Sequence, residues 1–170
     1  MGCNQGSRSR TSDPSTFHLE VIGTNKSCPI GEKVAAQNMA TRRTPVLSCE
    51  GACIRGEIAR LAANRLAHRG PYRRACHGEL FAVPDSTMHR WVRQAEKVVL
   101  IDGCFLRCHG RMIEPLVGKD RLVQFDALSH YKMYTDVFDI DAVPEEERKA
   151  VAEDVADWVL EALDSRDSQA

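Results

Sequence analysis

Cys49 and Cys53 flank three residues in CEGAC, Cys104 and Cys108 repeat that spacing in CFLRC, and the tripeptide Cys-His-Gly occurs twice, beginning at Cys76 and at Cys108. Thiols at such spacing support two chemistries. Four convergent Cys or His donors make a tetrahedral Zn²⁺ site, which asks only that the loops meet, because Zn–S bonds of about 2.3 Å are satisfied by any thiolates that converge. The candidate metal ligands are therefore Cys49, Cys53, Cys76, Cys104 and Cys108, one more than zinc needs, with His77 and His109 able to replace a member. The same thiolates would also suit an iron–sulfur cluster. A plainer reading is that small, apolar-tolerant cysteines pack at strand ends.

The second chemistry lies in CEGACIR, where five residues separate Cys49 from Arg55. A thiol at a strand end, a loop of backbone amides and an arginine at a helix start can hold a phosphate or arsenate oxyanion for nucleophilic attack. Over about ten residues, CEGACIRGEIA resembles the anion loop of low-molecular-weight tyrosine phosphatases and the related arsenate reductases. That resemblance implies a catalytic Cys49, an anion-clamping Arg55 and an Asp general acid in an Asp-Pro setting. Asp136, Asp139 and Asp141 all lack that setting.

Stepping along the chain, strand patterns alternate with helix patterns. TPVLS reads as a short strand, followed by a helix with Ile54, Ile58, Leu61, Ala62 and Leu66 on one stripe. YRRACHGELFAV reads as a second strand with Cys76 near its end, and Pro84 opens an amphipathic helix carrying Met88, Trp91, Val92 and Ala95. VVLID is a third strand, apolar throughout as expected when both sheet faces are covered, and Arg121 to Phe125 is a fourth. A final helix begins near Asp141 and Pro144, with an acidic first turn and a buried side formed by Val151, Val155, Trp158, Val159 and Ala162. A short helix is expected around residues 32–39. The fold class is α/β: three layers, a mostly parallel sheet with helices on both faces, and a cysteine-lined edge. In such sheets ligands bind outside the carboxyl ends of the strands, where all three cysteine loops fall.

A chain of 170 residues builds one core without disulfide staples, so the seven cysteines call for another explanation. No run of 18 uncharged apolar residues exists and the N-terminus has no signal-peptide core, so a soluble, cytoplasmic protein with no membrane partner is expected. Met1-Gly2-Cys3 misses the myristoylation pattern, having Gly at position 6 and Ser at 7. Residues 1–16 read as a disordered tail, 17–164 as one domain and 165–170 as a C-terminal tail. Net charge is −1, with basic residues concentrated early and acidic ones late. That asymmetry reads as two faces neutralising each other, and no arginine–aromatic interleaving argues for nucleic acid. The partners expected are a metal ion and a small anion; Cys3 and Cys28 lie outside the three loops.

Asp102-Gly103-Cys104 followed by Cys108, with Cys49-Glu50-Gly51 and a lone Cys76 before them, resembles the DGC-domain family, small proteins associated with zinc binding. The likeness runs from about Pro45 to Ile113. It implies that Cys49, Cys76, Cys104 and Cys108 chelate the metal, and it implies no biological role. The chain departs from the family pattern at Phe105, at His109 and in the additional Cys53. Gly103 is expected to serve the strand-to-loop turn, and Asp102 to accept amides of the following helical turn.

Overall fold

The computed structural model describes residues 19–168, so the expected N-terminal tail and Cys3 lie outside the described residues. Residues 19–28 run without regular structure into helix α1, Pro29–Ala40, which is longer than the expected 32–39 because Pro29 starts it and Cys28 Sγ accepts the Gly31 amide. Four strands follow: β1 Thr44–Ser48, β2 Tyr72–Arg74, β3 Val98–Asp102 and β4 Leu122–Asp126. All pair in parallel, in the order β2-β1-β3-β4. Between and after them lie α2 Ile54–Leu66, α3 His77–Ala82, α4 Thr87–Gln94, α5 Cys108–Val117, α6 Ala127–Tyr131, a 3₁₀ turn Ile140–Ala142, and α7 Glu145–Asp167.

The chain winds outward from β1 to β2, then reverses to β3 and β4. Right-handed crossovers on opposite sides of that reversal send helices to opposite faces of the sheet. One face is built from α2, α6 and α7 on Val46, Val99, Ile101 and Phe125; the other packs α1, α3, α4 and α5 on Leu47, Val98 and Leu100. All five residues of β3 are therefore buried, which accounts for the unbroken apolar run in VVLID. Burial of each Val, Leu or Ile side chain contributes about 1.5–3 kcal/mol, so the central strand pair carries much of the stability.

The second strand is shorter than expected. It ends at Arg74, and HGELFA, which reads as a continuation, is instead α3 with Cys76 as its N-cap residue. Tertiary packing decides this: Leu80 is buried under α4, while Glu79 reaches α1 and accepts the Cys28 amide at 2.9 Å. The next helix starts at Thr87, three residues after Pro84, because Ser86 caps it by accepting the His89 amide. The last helix begins at Glu145 and continues to Asp167, past the expected boundary at 164, with Lys97 and Asp167 paired. Its buried face is Ala152, Val155, Ala156, Val159 and Leu163, with Val151, Trp158 and Ala162 flanking. No helix of the described residues is long and apolar enough to cross a membrane.

Candidate metal centre

The reversal of winding falls between β1 and β3, so the loops leaving these two strands run to opposite faces of the sheet from its carboxyl edge, the place where folds of this class form their ligand crevice. Cys49 follows β1 and Cys104 follows β3; Cys76 follows β2 on the far side of β1. The Cys49 amide donates to Ile101 O at 2.8 Å, extending the β1–β3 ladder into the first loop.

Gly103 is where the two loops touch. A Cβ there would stand 2.8 Å from the carbonyl carbon and oxygen of Arg55, so only glycine lets the β3 loop lie against the first turn of α2. Cys49 sits inside this contact, half-buried, its Sγ facing the amides of Gly51 (3.4 Å) and Gly103. Burial pushes the Cys49 thiol upward against the pull of those amides, and the nearby Asp102 and Cys108 push the same way.

Asp102 is only 1% exposed and has a definite task. The N-cap residue of α5, Arg107, is in the left-handed region and offers no side-chain cap. The Asp102 carboxylate faces the backbone of His109 and Gly110 at that turn and accepts Gln124 Nε2 at 3.0 Å through Oδ2, while its Oδ1 is buried without a hydrogen-bond partner. Burial raises its carboxyl pKa, while these neighbours oppose the rise. A Cβ on Gly110 would fall 2.9 Å from Asp102 Oδ2, so the glycine of the second Cys-His-Gly lets α5 approach the strand end. The first turn of α5, with Cys108 and His109, is thus pinned to the end of β3.

The two Cys-His-Gly segments meet through their histidines. The His77 and His109 rings lie 5.1 Å apart edge-to-face, above the loop that follows β1. His77 Nδ1 is 3.9 Å from Glu50 Oε1, which also accepts from Ser48 Oγ at 2.6 Å and Arg74 Nη2 at 3.0 Å. Burial first, and then the neighbouring His109, draw the His77 pKa down to about 4. His77 Nε2 and His109 Nδ1 are buried and have no hydrogen-bond partner.

Tyr131 lies on α6, which packs against α2, the helix that Cys53 precedes as N-cap residue. Its hydroxyl is buried without a partner, and its pKa is raised by burial, with Arg55 opposing. Sequence reasoning missed Tyr131; its only signal, the segment LSHYKMY, carries no spacing that points to the crevice. The same segment contains His130, which pairs with Asp154 at 2.8 Å and stacks on Trp158, a structural role on the back of the sheet. Cys28, left undecided by the sequence, is the N-cap residue of α1, with its amide held by Glu79 of α3.

As donors, these groups fit zinc: six described cysteines are free thiols, and two buried imidazole nitrogens lack partners. Among the described residues no three His, Cys, Asp or Glu side chains stand together as a ready coordination shell. Side-chain rotation would have to assemble one, and Cys76 and Cys108 are exposed enough to rotate freely.

The geometry of a phosphatase-type loop is less well met. Arg55 Nη2 donates to Thr135 O, and the Ile54 amide is spent on Phe138 O at 3.1 Å. An anion in that loop would compete with both. The burial-raised Cys49 thiol also runs counter to an activated nucleophile.

Fold and site together define a doubly wound α/β domain with thiol-bearing loops at its topological switch point. The DGC domain family model matches residues 45–154, well over half of the chain, and the protein belongs to that family. No curated protein and no solved structure matches the chain significantly.

Proposed function

We propose that this protein binds a soft metal ion, zinc first, through cysteines of the three strand-end loops, in the reducing environment of the cytoplasm. The observation that supports this best is the position of five cysteines, Cys49, Cys53, Cys76, Cys104 and Cys108, on loops that leave one edge of the sheet around its switch point. Thiolates held by separate loops can be drawn together by a metal, and deprotonation on binding drives uptake at neutral pH. Within this reading Asp102 faces the first turn of α5, which carries Cys108 and His109, and the Gly103 contact fixes the Cys49 and Cys104 loops against each other. An iron–sulfur cluster on the same thiolates is the alternative cargo.

Metal analysis of tag-free protein from a reducing host tests the proposal. Roughly one zinc per chain in a colourless preparation is expected; a brown preparation rich in iron points to the cluster. Absence of any soft metal above trace would overturn the reading.

A further inference from the structure

We propose that His77 and His109 are metal ligands, so that the two Cys-His-Gly segments supply a mixed nitrogen–sulfur site with Cys76 and Cys108. This rests on the metal-binding reading above and names donors that the four-cysteine pattern of the family does not include.

Three observations carry it. First, two residues 32 positions apart, each following a cysteine and preceding a glycine, bring their rings to 5.1 Å with planes at 72°. Two imidazoles sharing one tetrahedral zinc, at Zn–N distances of about 2.0–2.1 Å, have ring centres roughly 5 Å apart. Second, His77 Nε2 and His109 Nδ1 are both buried and both unpaired. Buried polar atoms without partners are rare in native proteins and call for a water or an ion. An edge-to-face aromatic contact would account for the separation of the rings, but it would leave those two nitrogens unsatisfied.

Third, the His77 ring is held in place by its surroundings. His77 is 15% exposed, stacks on Phe81 and is flanked by Glu50 at 3.9 Å from Nδ1, the kind of carboxylate neighbour that orients a ligating imidazole. His109 lies in the first turn of α5, its ring against that of His77. The sulfur donors proposed to complete the site, Cys76 and Cys108, are the immediate chain neighbours and are exposed free thiols. Zn²⁺ and Co²⁺, which accept imidazole and thiolate together, are the metals this donor set suits.

The test uses the full chain, reduced, with histidine ring nitrogens labelled with ¹⁵N. Adding Zn²⁺ should shift one ring nitrogen of His77 and one of His109 in the wild-type protein, a measurement that needs no substitution. In parallel, Co²⁺ titration should give visible bands of a tetrahedral nitrogen–sulfur site. His77→Asn and His109→Asn should each move those bands and weaken Co²⁺ binding at least tenfold, with melting of the metal-free variants serving as the folding check. Unshifted ring nitrogens in a protein that still takes up metal through Cys49 and Cys104 would overturn the histidine assignment and leave the general reading standing. No uptake of Zn²⁺ or Co²⁺ by the wild type would overturn both.

Discussion

The carboxylate of Asp102, at the buried end of β3, holds the side-chain amide of Gln124 on β4 at 3.0 Å and faces the backbone of His109 and Gly110 at the start of α5. One buried acid thus ties two strands and a helix together beneath the crevice. Asp102→Ala should leave the Gln124 amide without its acceptor and remove the carboxylate from the start of α5, costing about 1–3 kcal/mol for the buried group left unpaired. Asp102→Asn, which keeps one acceptor oxygen, should cost less. Urea denaturation of both variants checks the order; equal stability to wild type would mean that water replaces the carboxylate at no cost.

The glycine at the same junction makes a coupled prediction. A Cβ at Gly110 would stand 1.4 Å from Gln124 Nε2, so Gly110→Ala must push Gln124 away from Asp102. The expected cost is about 1–3 kcal/mol of overpacking strain. In a Gln124→Ala background the same substitution should cost distinctly less, a coupling visible in a double-mutant cycle. Gly103→Ala has no such relief, because its neighbours are backbone atoms of Arg55, and it should be the more damaging of the two alanines.

Cysteine substitutions separate ligands from bystanders. Cys76→Ala or Cys108→Ala should lose bound metal together with the stability it contributes, up to several kcal/mol, since anything bound only by the native state stabilises it. Cys3→Ala should lose neither. Zinc retention and melting temperature across the alanine variants test this, and indistinguishable behaviour of Cys76→Ala, Cys108→Ala and Cys3→Ala would show that these loop cysteines serve packing alone.

Away from the crevice, Glu32 on α1 accepts both the amide and the hydroxyl of Thr87 at the start of α4. The Thr87 side chain and then its amide lower the Glu32 pKa below 4.5. A carboxylate whose folded pKa is depressed contributes stability that is present above the unfolded value and lost as pH falls through the folded one. Glu32→Gln should therefore be less stable than wild type at pH 7, and the difference should shrink below about pH 4.5. Denaturation midpoints at pH 7 and pH 3 measure it; a difference that is unchanged with pH would remove the charge from the explanation.

Cys49→Ser addresses the thiol-enzyme alternative directly. With Arg55 engaged by Thr135 O and the Cys49 thiol raised by burial, no Cys49-dependent hydrolysis of an aryl phosphate or reduction of arsenate is expected. Activity in the wild type that vanishes in the serine variant would reinstate that chemistry.

Local pattern alone was enough to define most of the architecture. VVLID is apolar at every position because both sheet faces are covered, and the stripe of Ile54, Ile58, Ala62 and Leu66 has the helical period that packs α2 against the sheet; both features are written in residue order. The three cysteine loops could likewise be assigned to the carboxyl edge, since the alternation of strand and helix dictates which ends the loops leave. HGELFA was misread because six residues rich in apolar side chains carry no period that distinguishes strand from helix, and only the packing of Leu80 under α4 and of Glu79 against Cys28 selects the helix.

What residue order could not express is which side chains meet. The strand order β2-β1-β3-β4, set by the direction of each crossover, brings the loop after β2 and the start of α5 together above β1, so His77 and His109 touch across 32 positions of chain. It also buries the Tyr131 hydroxyl of α6, without a hydrogen-bond partner, where α6 packs against α2. Each of these encounters depends on long-range packing that no spacing within a single loop encodes, and for that reason the sequence determined the donor types and the edge they occupy, while the tertiary structure decided their neighbours.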